Sequence, residues 1–154
     1  NNITMADLTT TVTESVVLNG ALRGNTNSVT TTGINNVFER IVTCAHSQTT
    51  TVAVFATTPH TSAGAIDVEN VRYIRVTNLD TVGEAELAVV TTNTNYNVKL
   101  PVGCSHILSL GEEVAIGQTG DLPAFGTFED LTSLQIRPIG ATYNPQISVF
   151  VGLV

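Results

Sequence analysis

The sequence predicts an all-β protein: a single-domain β-sandwich of about ten short strands, with the jelly roll as the favoured topology. Three observations predict it. Of the 154 residues, 25 are Thr and 20 are Val, β-branched residues that suit a pleated sheet. Short apolar runs recur with turn-forming residues between them, which is typical of sandwiches and barrels. No long stretch places apolar residues at the 3.6-residue spacing of an amphipathic helix.

The first half of the chain is expected to supply four of the strands. The first ends at Asn19-Gly20, a strong hairpin-turn signal, and residues 21–27 are expected to form a loop. Val52 to Ala56 is apolar at every position, which indicates a strand inside the sandwich rather than at its edge. The four strands are expected at 9–18, 28–32, 36–44 and 50–57.

The second half alternates strands with short turns until a long irregular stretch, Gly117–Asp130. That stretch carries apolar Leu122, Phe125 and Phe128, and a loop of this kind usually packs such residues on something, so we expect it to be ordered. The strands are expected at 71–78, 84–91, 96–100, 105–110, 113–116, 133–139 and 146–154.

The domain organisation is expected to be simple. A chain of this length buries enough surface to fold as one domain, here residues 9–154, preceded by a polar N-terminal arm at residues 1–8. The start lacks the basic and apolar segments of a signal peptide, which favours synthesis in a cytosol.

The charge balance argues against two classes of partner. The formal net charge is −7, charged residues make up only 12%, and Lys99 is the only lysine. A protein that grips nucleic acid needs clustered Lys and Arg to displace counterions from phosphates, and an anionic membrane surface requires similar clusters. We therefore expect neither a nucleic-acid nor a membrane partner.

Two Cys-x-His triplets are the strongest hint of a metal site. Cys44 and His46, and likewise Cys104 and His106, share a strand face, so four zinc ligands would converge if the two strands were neighbours. The spacing differs from that of zinc fingers and ribbons. Free cysteines and a single disulfide are the alternatives, and we favour free cysteines without a metal or other cofactor.

No catalytic motif stands out, and the chain is not expected to be an enzyme. The Gly-x-Ser-x-Gly elbow and both glycine-rich phosphate loops are absent. The carboxylates come in small groups, the densest around Asp80–Glu86. An acidic solvated surface is the favoured interpretation of that turn, and a calcium site is the alternative.

The composition favours assembly instead. Several strands are apolar on both sides, more than one small sandwich absorbs, and exposed apolar area marks interaction sites. Arg72 and Arg75 are expected to pair with nearby acids or to lie at an interface, where Arg is enriched. We expect a homo-oligomer, with interface candidates Ile3, Met5, Leu122, Phe125, Phe128, Arg72 and Arg75.

Several segments resemble small virion proteins of tailed bacteriophages, including marine and cyanobacterial phages. The likeness covers roughly residues 8–110 and is one of general character. The segments that carry it are Leu8–Gly20, Glu39–Val42, Asn70–Asp80 and Leu100–Leu108.

The resemblance implies a β-sandwich located in a virion and no catalytic residues. Some proteins of this type are capsid decoration (cement) proteins, often trimers on the outer shell. It therefore implies a capsid-exterior protein made in the host cytoplasm, with a major capsid protein or other virion proteins as partners. A tail or head-fibre receptor-binding module is the alternative, and a small cupin-like enzyme with a metal cluster is a third.

Overall fold

A computed structural model describes residues 5–59, 64–117, 120 and 123–154, which form fourteen strands and no α-helix. A single turn of 3-10 helix, Val68–Asn70, is capped by the carboxylate of Asp67. The strands are β1 Ala6–Thr13, β2 Val16–Leu18, β3 Ala21–Arg23, β4 Thr26–Ile34, β5 Asn36–Thr43, β6 Thr50–Ala56, β7 Ile66–Asp67, β8 Val71–Asn78, β9 Ala85–Thr91, β10 Asn95–Leu100, β11 Ser105–Leu108, β12 Glu112–Glu113, β13 Glu129–Pro138 and β14 Gln146–Leu153.

Eight of these strands build a two-layer sandwich. Sheet one has the order β10-β9-β13-β6-β7, with β12 beside the start of β13, and sheet two has the order β11-β8-β14-β5. Without the short β7 and β12, the sandwich strands can be numbered 1 to 8 along the chain as β5, β6, β8, β9, β10, β11, β13 and β14. In this numbering sheet one has the order 5-4-7-2 and sheet two has the order 6-3-8-1. This is the double Greek key of a jelly roll. The predicted fold class and its favoured topology are confirmed.

Alternation of side chains explains the sandwich. Strand β9 alternates between buried and partly exposed positions throughout, and β8 does so from Ile74 onward, which places every second residue in the interior. Burying one such aliphatic side chain contributes about 1.5–3 kcal/mol. The fully buried centre consists of Val52, Ile74, Val76, Leu87, Val89, Leu134, Ile136, Ile147, Val149 and Val151.

The first part of the chain departs from prediction and forms a two-stranded arm. The expected single strand 9–18 is two strands, β1 and β2, and the expected loop 21–27 contains β3 and the start of β4. Gly24 explains the interruption. Its φ is +104°, and a Cβ placed on it would lie 2.2 Å from the carbonyl oxygen of Glu14. Such close backbone contact is available only to glycine, so the ladder is irregular here.

Two further expectations concern the chain start and the long loop. Residues 1–4 of the expected N-terminal arm, which include Ile3, lie outside the described residues, and residues 6–8 belong to β1. Leu122 also lies outside them. The described part of 117–128 is irregular, as expected, but Phe125 is 93% exposed and Phe128 is 65% exposed, so the chain itself does not cover these two interface candidates.

Candidate functional site: an exposed arm and two apolar patches

The Cys-x-His triplets do not converge. Cys44 follows β5 and Cys104 precedes β11, the two outer strands of sheet two, with β14 and β8 between them. Three strand spacings separate them by about 14 Å, too far for a disulfide. Both cysteines are free, and no cluster of three or more metal-ligating side chains occurs among the described residues.

The four residues of the triplets also differ in surroundings. Cys44 is buried, and burial raises the pKa of its thiol, whereas Cys104 is exposed. His46 is exposed. The ring of His106 points into the sandwich interior and packs edge-on against Tyr96 of sheet one, with ring centroids 6.3 Å apart. The convergence that the spacing suggested therefore fails because two strands intervene.

A small polar group that sequence reasoning missed lies between the two sheets. The hydroxyl of Tyr96 bonds the carboxylate of Glu113, and burial with that carboxylate raises the pKa of Tyr96 to about 12. Burial also raises the pKa of Glu113 and lowers the pKa of His106. The buried Nε2 of His106 has no hydrogen-bond partner among the described residues. The alternation of polar and apolar residues in β10, with Tyr96, Val98 and Leu100 on one face, is the sequence signal that places Tyr96 in a strand.

The carboxylates mostly stabilise turns. Glu129 accepts hydrogen bonds from the hydroxyls of Thr91 and Thr94 and from both nitrogens of Asn93, and these bonds lower its pKa to about 2. Calcium binding was the alternative interpretation of the Asp80–Glu86 turn. There the carboxylate of Asp80 accepts hydrogen bonds from the backbone N–H groups of Thr81 and Gly83. Its oxygens are therefore used by the turn itself.

One expectation was that Arg72 and Arg75 pair with nearby acidic side chains, and among the described residues neither of them does. Among the described residues the one ion pair joins Lys99 and Glu84, 3.5 Å apart. Arg72 donates to the backbone carbonyls of Glu69 and Val71. Arg75 donates to the hydroxyls of Thr77 and Ser148.

The arm is a hairpin running from Ala6 to Ile34. Strand β1 pairs with β4 and β2 pairs with β3. The turn at its tip is Asn19-Gly20, with φ of 51° and 77°, the left-handed pair that a type I′ turn requires. At about 3.3 Å per residue the thirteen residues from Ala6 to Leu18 span roughly 40 Å.

One face of the arm is a ladder of hydroxyl groups. Cross-strand hydrogen bonds join Thr9 to Thr30, Thr11 to Ser28 and Thr13 to Thr26, at 3.4, 2.9 and 3.2 Å. Such pairs are the unit of stabilisation in a two-stranded sheet. They fix the register of the arm without burying apolar surface.

Apolar side chains of the arm are open to solvent. Six of them are between 48% and 71% exposed. A monomer usually scatters such residues singly, whereas a contiguous group marks an interaction site. The six are Val12, Val16, Val17, Leu18, Leu22 and Val29.

The base of the arm rests on the outer face of sheet two. A Cβ placed on Gly152 would lie 3.2 Å from Cδ2 of Leu8 and 3.7 Å from Cδ1 of Ile34. Ile34 is 6% exposed, so this contact excludes solvent. The backbone N–H of Asn35 also donates to the carbonyl of Leu153, 3.0 Å away.

The rest of the outer face of sheet two combines aliphatic and aromatic side chains with one arginine. Phe150 pairs across the ladder with Arg75, which in turn pairs with Ile107. Tyr73 packs edge-on against Phe150 with centroids 5.9 Å apart. Ile41, on β5, is 63% exposed. We call these five residues the sheet-two patch.

A second apolar patch lies on the long loop. Phe125 and Phe128 stand beside Val114 and Ile116 around a shallow groove, and a Cβ on Gly126 would lie 2.6 Å from Cδ1 of Ile116. Glycine therefore permits the close approach of the loop segments. We call Ile116, Phe125 and Phe128 the loop patch.

Other candidates give no convergent chemistry. A groove of about 490 Å³ beside Phe38, Ile66 and Leu153 contains Asp67, which caps the 3-10 turn and accepts from Asn70. Met5 is 65% exposed at the foot of the arm. Within the described residues we find no helix whose length and apolar character would let it cross a bilayer.

The chain was compared with protein-family models, with curated proteins and with solved structures, and nothing matches it in any of the three comparisons.

Proposed function

We propose that the chain is a structural protein of a bacteriophage particle, a decoration (cement) protein that binds the outside of the capsid and stabilises it. The proposal assigns it no reaction and no cofactor. Its partner is the major capsid protein or another virion protein.

The observation that carries this proposal is the apolar surface outside a well-filled sandwich. The interior of the sandwich is complete, yet the loop patch leaves two Phe rings in solvent, one of them 93% exposed. Exposed Phe side chains are costly in an isolated protein and are typical anchors of interfaces. The loop patch is the surface that we assign to the shell.

The charge of the chain supports an exterior location. With a net charge of −7, the protein is repelled by packaged nucleic acid and contacts its neighbours through hydroxyl, amide and apolar groups. The resemblance of residues 8–110 to small virion proteins points the same way. A fibre or receptor-binding module has no specific observation in its favour here.

The test is binding to capsids that lack this protein. Mixed with such shells, the chain is expected to co-sediment and to raise their melting temperature. The double substitution Phe125→Ser with Phe128→Ser removes two apolar anchors worth about 1.5–3 kcal/mol each, so affinity is expected to fall at least about 100-fold.

The matched control is Val82→Ser, which removes an exposed apolar side chain from a turn distant from the loop patch in sequence. It is expected to bind as the parent does. A protein that ignores the shells but binds host cells would overturn the proposal in favour of the receptor-binding alternative.

A further inference from the structure

We propose that the arm of one copy lies on the sheet-two patch of a second copy, so that the chain self-associates through its arms. This goes beyond the proposed function, because it needs no capsid and identifies what covers the arm. The acceptor surface is the outer face of sheet two.

The arm requires a partner to be ordered. A two-stranded hairpin alone is marginally stable in water, because it lacks a face buried against a third strand or a second layer. Here the hydroxyl ladder covers one face of β1 and β4, and the six apolar side chains of the arm remain open. Val17 and Leu22 pair on one face of the tip, and Val16 and Leu18 lie on the other face, so the tip has apolar side chains open on both faces.

Its own domain does not cover the arm. Contact with the body of the protein is made at the base, where Leu8 and Ile34 pack over Gly152. From Leu8 to Leu18 the arm extends roughly 33 Å, while the eight-residue strands of sheet two span only about 27 Å. The tip residues Val17 and Leu22 are 70% and 71% exposed. The tip must therefore meet another molecule.

The sheet-two patch has the composition of a protein interface. Tyr, Phe and Arg are enriched at protein interfaces, and Tyr73, Phe150 and Arg75 adjoin one another with exposed Ile41 and Ile107 around them.

Charge complementarity selects a second copy as the occupant. The guanidinium of Arg75 is bonded only to hydroxyls and has no carboxylate partner among the described residues. The arm carries an exposed carboxylate, Glu14, next to the break between β1 and β2. An arm laid across the patch of a neighbour brings this acid to a half-buried cation that lacks one.

The contact joins two different surfaces, arm and patch, so it forms a reciprocal pair, a closed ring or, if the rotation does not close, a filament. A ring of three is the assembly that the resemblance to decoration proteins implies. The inference requires only that each arm is received by another copy.

The test measures mass in solution, without shells, by light scattering over a range of concentrations. The parent is expected to be an oligomer. The double substitution Val17→Thr with Leu22→Thr keeps β-forming residues in the arm and removes the apolar pair on one face of its tip. It is expected to raise the dissociation constant at least 10-fold. Val82→Thr with Val102→Thr removes matched exposed valines from two turns and is expected to leave the mass unchanged.

A charge exchange tests the acceptor surface. Glu14→Arg and Arg75→Glu are each expected to weaken association, and the two together are expected to restore it. Arg137→Glu reverses the charge of an exposed side chain on β13, in the other sheet, and serves as the control. Circular dichroism checks that every variant stays folded.

A parent that is monomeric at every concentration overturns the inference. So does an arm-dependent oligomer that Arg75→Glu leaves intact, or a double charge exchange without recovery. The proposed function fails separately: an oligomer that assembles through its arms but does not bind shells would overturn the capsid proposal and leave this inference standing.

Discussion

Gly152 lies directly beneath Leu8: a Cβ at that position would stand 3.2 Å from the Cδ2 atom of Leu8. The absent side chain is what lets the base of the arm rest on sheet two. Gly152→Val is therefore expected to lift the arm from the sheet and to cost about 1–3 kcal/mol of stability by overpacking.

Hydrogen exchange measures this effect, with faster exchange expected throughout β1 and β4 and little change in β9. Gly140→Ala is a useful contrast, because no atom lies within 4 Å of a Cβ there and its effect comes from a positive φ alone. Unchanged protection of the arm in Gly152→Val would contradict the packing argument.

Glu129 makes stability depend on acid pH. Its folded pKa of about 2 lies below the ordinary Glu value near 4.3, so its contribution is complete above the unfolded pKa. It is lost as the pH falls from about 4.3 to about 2. Urea unfolding between pH 7 and pH 2 should show this loss. Glu129→Gln should flatten the pH dependence because an amide does not titrate in this range, and it should lower stability at pH 7 because the amide nitrogen opposes the Thr and Asn donors.

The comparison for Glu129 is Glu112→Gln, on exposed β12. This variant is expected to follow the parent through the same pH range. If Glu129→Gln and the parent lose stability in parallel, the turn does not depend on that carboxylate.

His106 makes stability depend on pH in a higher range. Burial lowers its folded pKa, so the folded state resists protonation. Stability is complete above the unfolded pKa near 6.5 and declines as the pH falls below it. His106→Phe keeps the edge contact with Tyr96 and removes a buried nitrogen that lacks a partner. It is expected to gain about 1 kcal/mol and to abolish the decline between pH 6.5 and 5.5.

The measurement is again urea unfolding, at pH 7.5 and 5.5. His46→Phe changes an exposed imidazole and should retain the pH dependence of the parent. A His106→Phe variant less stable than the parent would indicate that the ring nitrogen is satisfied by solvent.

The two cysteines should react with a thiol reagent at very different rates. Cys104 is exposed, whereas Cys44 is buried with a raised pKa, and the thiolate is the reactive form. Mass spectrometry is expected to find one label in the folded protein and two after unfolding. Cys104→Ser should leave the folded protein unlabelled. An unlabelled parent even after unfolding would reveal a disulfide and contradict the 14 Å separation derived from the strand order.

The strands of the sandwich could be predicted because local pattern and tertiary structure agree. Val71–Asn78 has the same bounds in prediction and structure, since its alternation matches its position in the centre of sheet two. The prediction for the arm was wrong because local sequence signals and strand pairing disagree there. Residues 21–27 contain Gly24 and Asn25, which are loop signals, and pairing across Asn19-Gly20 overrides them.

The candidate site was less predictable, because it depends on which strands meet. The contact of His106 with Tyr96 joins two sheets, and nothing in either segment announces it. The Cys-x-His triplets share one end of sheet two, but β14 and β8 lie between them. Phe125 and Phe128 were named as interface candidates from composition, but whether the chain itself covers them became visible only in the structure.

The place of β14 has a consequence for folding order. It pairs with both β5 and β8 in the middle of sheet two, although about 70 to 100 residues separate it from them in the chain. Such long-range pairing is slow, while a local hairpin forms within microseconds. During synthesis the arm can therefore form long before the sheet that anchors it exists. Until Gly152 has been translated and β14 has paired with β5 and β8, the surface that Leu8 and Ile34 pack on does not exist. The nascent chain therefore exposes the apolar tip of the arm before the sandwich has folded.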